Sequence, residues 1–101
     1  MIELEKKIIA VLKNVYDPEI PVNIYDLGLI YEIIIDDSKV VKVTMTLTAP
    51  NCPMADELVD DVYRSVKAID EVTNVIVNLT FEPEWDKNMM TEEAMLELGL
   101  L

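Results

Sequence analysis

Histidine is absent from this sequence. That removes the usual general base, the side chain that titrates near neutral pH and the commonest metal-binding ring together. Cysteine occurs once, at Cys52, so no internal disulfide can form and nothing points to an oxidising compartment. The two glycines, Gly28 and Gly99, stand far apart and leave no glycine-rich loop to cradle a phosphate. No apolar run approaches the roughly 20 residues that a membrane-spanning helix needs. The opening Met1-Ile2-Glu3-Leu4-Glu5-Lys6-Lys7 lacks the basic-then-apolar order of a secretory leader, so the cytoplasm is the expected location. Basic residues are also scarce: eight Lys and Arg stand against twenty Asp and Glu, for a formal net charge of −12. Nucleic acid and anionic membranes repel such a chain unless its cations are concentrated, and these eight are scattered. Neither is expected as a partner. The acid excess instead suits solubility and steering toward a basic protein.

What is present suffices for a core. The apolar share is 51% of 101 residues, and a chain of this length buries roughly 65% of the surface it exposes when unfolded. Leu4, Ile8, Val11, Leu12 and Val15 recur at helical spacing, which predicts an amphipathic first helix ending near Asp17, ahead of Pro18. Ile30 to Asp36 reads as a β-branched strand, Asp37-Ser38 as a turn, and Val40 to Thr48 as a second strand. In that strand Val41, Val43, Met45 and Leu47 alternate with Lys42, Thr44, Thr46 and Thr48. Pro53 suits the first position of a second helix, whose apolar stripe is Met54, Leu58, Val62, Val66 and Ile69 and whose acidic side is Asp56, Glu57, Asp60 and Asp61. Val75, Val77, Leu79 and Phe81 alternate as a third strand. Strand, helix and strand in that order predict a right-handed parallel crossover and hence a mixed sheet. Thr91, Glu92 and Glu93 open a short last helix that Gly99 can end. The expected fold class is α+β. It is a two-layer sandwich with a small mixed three-stranded sheet, in the order α-β-β-α-β-α, as a single domain over 1–101.

Three segments exceed what core-building requires. Asp17-Pro18-Glu19-Ile20-Pro21-Val22-Asn23-Ile24-Tyr25-Asp26-Leu27-Gly28 is too broken by proline for a helix and too apolar for an ordinary loop. Its apolar residues plug one end of the core, with Asp26 bonding loop amides, or the loop carries function. Thr46-Leu47-Thr48-Ala49-Pro50-Asn51-Cys52-Pro53 joins a strand to a helix and sets Cys52 at the expected N-cap. Helix amides and the helix dipole stabilise a thiolate there, and a thiolate binds metal or attacks an electrophile. The plainer reading is a small buried residue. Phe81-Glu82-Pro83-Glu84-Trp85 holds the single tryptophan, which either caps the core or anchors a partner.

Together these segments carry a resemblance. Asp17-Pro18-Glu19-Ile20 with Asn23-Ile24-Tyr25-Asp26-Leu27-Gly28-Leu29-Ile30-Tyr31 resembles the N-terminal signature of the metal–sulfur cluster biosynthesis family, which includes SufT-like and PaaD-like proteins. Thr46-x-Thr48-x-Pro50-x-Cys52-Pro53 is similar to its second motif, and Phe81-Glu82-Pro83-Glu84-Trp85 with Met90-Thr91 to its third. The resemblance implies an auxiliary, non-enzymatic role in iron–sulfur cluster assembly, helping to carry or deliver clusters to client apo-proteins. Its implied partners are a scaffold, a P-loop ATPase carrier and those clients, and its implied cargo is a transient iron–sulfur cluster or iron. It marks Cys52, Asp26 and Thr48 as the shared pocket, with Cys52 the metal ligand. Trp85, Glu84 and Tyr25 are the candidate partner-binding residues. The extra C-terminal cysteines expected of a PaaD-like protein are missing, which favours the general auxiliary role.

The chemistry of the residues narrows that role. One thiolate per chain does not hold a cluster that wants four sulfur ligands, and a homodimer supplies two. A transient shared site therefore fits better than a resident cluster. A metal-free adaptor in the same pathway is the alternative. A thiol enzyme using Cys52 is the weakest reading, with no histidine to activate the thiol and no second cysteine to resolve a disulfide.

Overall fold

The computed structural model describes residues 2–16, 21–47 and 55–99. Within them, α1 (Ile2–Leu12), β1 (Ile30–Ile35), β2 (Val40–Met45), α2 (Ala55–Lys67), β3 (Asn74–Leu79) and α3 (Glu92–Glu97) follow one another, with a single 3₁₀ turn, Lys87–Met89, before α3. The order is the one the periodicity predicts. The sheet runs β1-β2-β3, with β1 antiparallel and β3 parallel to β2, so it is mixed and α2 makes the crossover. Both long helices contribute to a layer on one sheet face. Leu4, Ile8 and Leu12 of α1 and Leu58, Val62 and Val66 of α2 join Val41, Val43, Met45 and Val75 in one buried cluster. Each such side chain contributes roughly 1.5–3 kcal/mol by leaving water. The other face, with Glu32, Ile34, Lys42, Asn74 and Ile76, is exposed.

Three boundaries differ from the sequence reading. The first helix stops at Leu12, well short of Asp17. Asn14 and Val15 make tighter bonds, to Val11 O and Leu12 O, and the Asn14 side chain turns back to Ala10 O at 3.2 Å. Asparagine competes with the helix backbone in this way. Val15 is nevertheless buried, because Tyr16 pairs with Asn23 and Ile24 N donates to Val15 O at 2.8 Å. The second strand ends at Met45, and Thr46 is fully buried rather than facing out. The third strand ends at Leu79, which is 41% exposed, so its expected inward alternation fades at that end. The last helix is as predicted: Thr91 Oγ1 accepts from Ala94 N at 3.2 Å, and Gly99 follows the cap with φ +75°.

Candidate functional site

Asp17 to Ile20 of the first motif lie outside the described residues, and Asn23 to Gly28 form one capped turn. Asn23 is its N-cap, since its side-chain Oδ1 accepts from Asp26 N at 2.8 Å, and Asn23 Nδ2 donates to Asp26 Oδ2 at 2.9 Å. The turn ends at once. Gly28 N bonds Tyr25 O and Leu29 N bonds Ile24 O, both at 3.1 Å, which is the paired closure of a Schellman motif. That closure needs a left-handed residue, and Gly28 supplies it with φ +82°. Ile24, Leu27 and Leu29 are fully buried beneath the turn. The expectation that this segment plugs one end of the core therefore holds for its described part.

The third motif is fastened onto the first. Trp85 Nε1 donates to Leu27 O at 2.7 Å, and Tyr31 Oη donates to Pro83 O at 2.7 Å. Thr91 N donates to Asp26 O at 2.9 Å. Tyr31 is the extra residue where the β1–β2 register shifts between Ile30 and Glu32, and a bulge of this kind re-aims a side chain. The half-buried Trp85 packs on the core with its polar edge satisfied inside the chain. Glu84 is exposed. Tyr25 is half-buried against the core, with Lys13 Nζ 5.5 Å from its ring centre.

Asp26 lies on a polar pocket of about 270 Å³, lined also by Tyr16, Asn23, Glu93 and Glu97. The two glutamates were missed in the sequence, although their i,i+4 spacing in a predicted helix puts them on one face. Replacing Asp26 with Asn should leave the melting midpoint within a few degrees of the parent. An amide oxygen can take the same bond from Asn23, so the loss should be under ~1 kcal/mol. Client maturation should fall several-fold if the charge is used. Normal maturation with a lowered midpoint would assign Asp26 to the turn alone.

Cys52 and Thr48 lie outside the described residues, and so does the expected approach of Asp26 to Cys52. Among the described residues no group of three or more His, Cys, Asp or Glu side chains could hold a metal ion. The described chain entering that segment is unusual, because Thr46 Oγ1 is fully buried with no hydrogen-bond partner among the described residues. Such an orphan typically costs ~1–3 kcal/mol. Thr46→Val should therefore raise the midpoint by several degrees in thermal unfolding. A drop instead would show that the hydroxyl has a partner in the segment that follows.

The fold fixes the class first: a two-layer α+β protein whose loop-rich end is built by fastening two distant segments together. Comparison then supplies the family. The model of the iron–sulfur cluster assembly protein family matches residues 5–77, and this chain belongs to that family. It is 57% identical over 100 residues to an Fe–S protein maturation auxiliary factor of Porphyromonas gingivalis, covering 99% of this chain and 95% of that protein. Its identity to the Fe–S protein maturation auxiliary factor SufT of Staphylococcus aureus is 40% over 86 residues, covering 85% of this chain and 98% of that one. A solved domain of unknown function from Bacillus anthracis superposes with a TM-score of 0.91 at 37% identity, covering 98% of this chain and 94% of that one.

Proposed function

We infer that this chain is an auxiliary factor in iron–sulfur cluster assembly that assists cluster carriage or delivery to client apo-proteins. The observation that carries this reading is the 57% identity, spanning nearly all of both chains, to a protein maturation auxiliary factor. Cys52 serves as the thiolate that meets the cargo, with Asp26 and Thr48 beside it. A single thiolate leaves most coordination positions of a cluster to other donors, so the cluster is shared and transient. A partner protein or a second copy of the chain supplies the remaining ligands. The work is handing over a cluster rather than turning over a substrate, and it is done in the cytoplasm with a scaffold, an ATPase carrier and the clients. Glu84 and the outer parts of Trp85 and Tyr25 make the partner contact.

The test removes the chain from its host and measures the activity of a [4Fe–4S] dehydratase against its protein level. Activity should fall at constant protein and return with the parent gene. Anaerobic reconstitution with iron and sulfide should show binding by the parent and its loss in Cys52→Ala. Unchanged dehydratase activity on removal would overturn the function. Restored activity with Cys52→Ala would keep the pathway and replace the carrier with a metal-free adaptor.

A further inference from the structure

The sheet has two edge strands, and they are not alike. β1 carries a register shift at Tyr31 and a charge at Glu32, both of which discourage further strand pairing. β3 carries neither. Its residues, Asn74-Val75-Ile76-Val77-Asn78-Leu79, include no charge and no proline, and its register with β2 is unbroken from Val40↔Asn74 to Met45↔Leu79. Among the described residues β2 is the only strand β3 pairs with. The chain beyond β3 turns toward Leu27 and Tyr31 through Pro83 and Trp85, and among the described residues no strand pairs with the outer edge of β3.

A groove of about 500 Å³ runs between this edge and α2. Val59 and Tyr63 of α2 and Val77 and Leu79 of β3 form its apolar lining, and Asp56 and Asp60 form its acidic rim. Tyr63 and Leu79 are both exposed despite their large apolar side chains, at 37% and 41%. Asp60 is paired with Arg64 at 3.1 Å, while Asp56 has no ion pair among the described residues.

We propose that the outer edge of β3, with the groove it forms against α2, is a docking site for an extended segment of a basic partner protein, added as a fourth strand. Main-chain hydrogen bonds to an unprotected edge provide the affinity of such an arrangement, and pockets for alternate side chains provide its specificity. Alternate apolar residues of the segment fill the groove over Val59, Tyr63, Val77 and Leu79. A lysine or arginine at its end meets Asp56. Charge decides between occupants: a second copy brings the same −12 and the same two carboxylates, whereas a basic segment neutralises them. This inference does not depend on the cluster role.

The test uses the full chain, isotopically labelled, and a capped peptide of alternating valine and threonine with lysine at both ends. Two control peptides replace the lysines with glutamate or the central residue with proline. Amide shifts should move in 56–63 and 74–80, and both controls should bind about tenfold more weakly or worse. Leu79→Lys should weaken binding to a similar degree. Asp56→Asn, an exposed change that leaves the fold intact, should weaken it several-fold, and added salt should do the same. Absent binding, equal binding of the glutamate peptide, or shifts confined to other residues would overturn the proposal. A dimer in sedimentation equilibrium that Leu79→Lys dissolves would also overturn it, by assigning the edge to a second copy.

Discussion

Replacing Gly28 with alanine should be among the most damaging single changes this fold can suffer. Two costs add. The backbone there has φ +82°, a conformation that costs an L-residue ~1–2 kcal/mol. A Cβ would also stand 2.4 Å from Met89 O and 2.8 Å from Met89 C. Those are backbone atoms, so no side-chain rotation relieves the clash and the third motif must lift off the first. Forced overpacking of this kind costs a further ~1–3 kcal/mol. The total, ~2–5 kcal/mol, corresponds to a midpoint lowered by on the order of 10–30 °C for a protein of this size. Asparagine separates the two costs, since it tolerates φ above zero but still carries a Cβ. Gly28→Asn should remain strongly destabilised in thermal unfolding. A near-parental midpoint for the asparagine variant would show that the backbone conformation, and not Met89, imposes glycine.

The second large effect is on activity. Cys52→Ser should leave the midpoint near normal and lower the maturation of iron–sulfur clients by on the order of tenfold or more. Serine is a favoured N-cap residue, and the N-cap is the position that the sequence pattern gives Cys52. An alcohol, however, does not ionise near neutral pH and is a poor ligand for iron. The opposite pattern has an equally clear meaning. If Cys52 is only a packed residue, serine buries a hydroxyl at a cost of ~1–3 kcal/mol while client activity stays normal. Measuring the midpoint and the activity of one client enzyme on the same variant distinguishes a site from a core position. Gly28→Ala should lose both together, because it acts through the fold.

Much of the architecture was legible as pattern. The stripe Leu58-Val62-Val66 and the alternation Val41-Val43-Met45 are local periodicities, and each reports which face of its element is buried. Strand, helix and strand in that order then implied the parallel pairing of β2 with β3, because crossover handedness leaves few alternatives. Gly28 and Thr91 were readable as turn and cap residues, since those roles belong to single side chains. The order of elements, the mixed sheet and the resemblance to a cluster-assembly family were thus determined by the sequence alone.

Tertiary structure decided what no window of residues contains. Phe81 to Thr91 lies along Leu27, Gly28 and Tyr31 through bonds spanning more than fifty positions, as from Trp85 Nε1 to Leu27 O. Local periodicity carries no information about such a contact. It spends the indole N–H of Trp85 inside the chain while leaving the ring partly exposed. It brings Glu93 and Glu97 to the pocket of Asp26, and it ends the first helix at Leu12 so that Tyr16 can pair with Asn23. The exposure of Leu79 is decided the same way. Its alternation says which face it points to, but only the position of α2 over the sheet says that nothing in the described chain covers it.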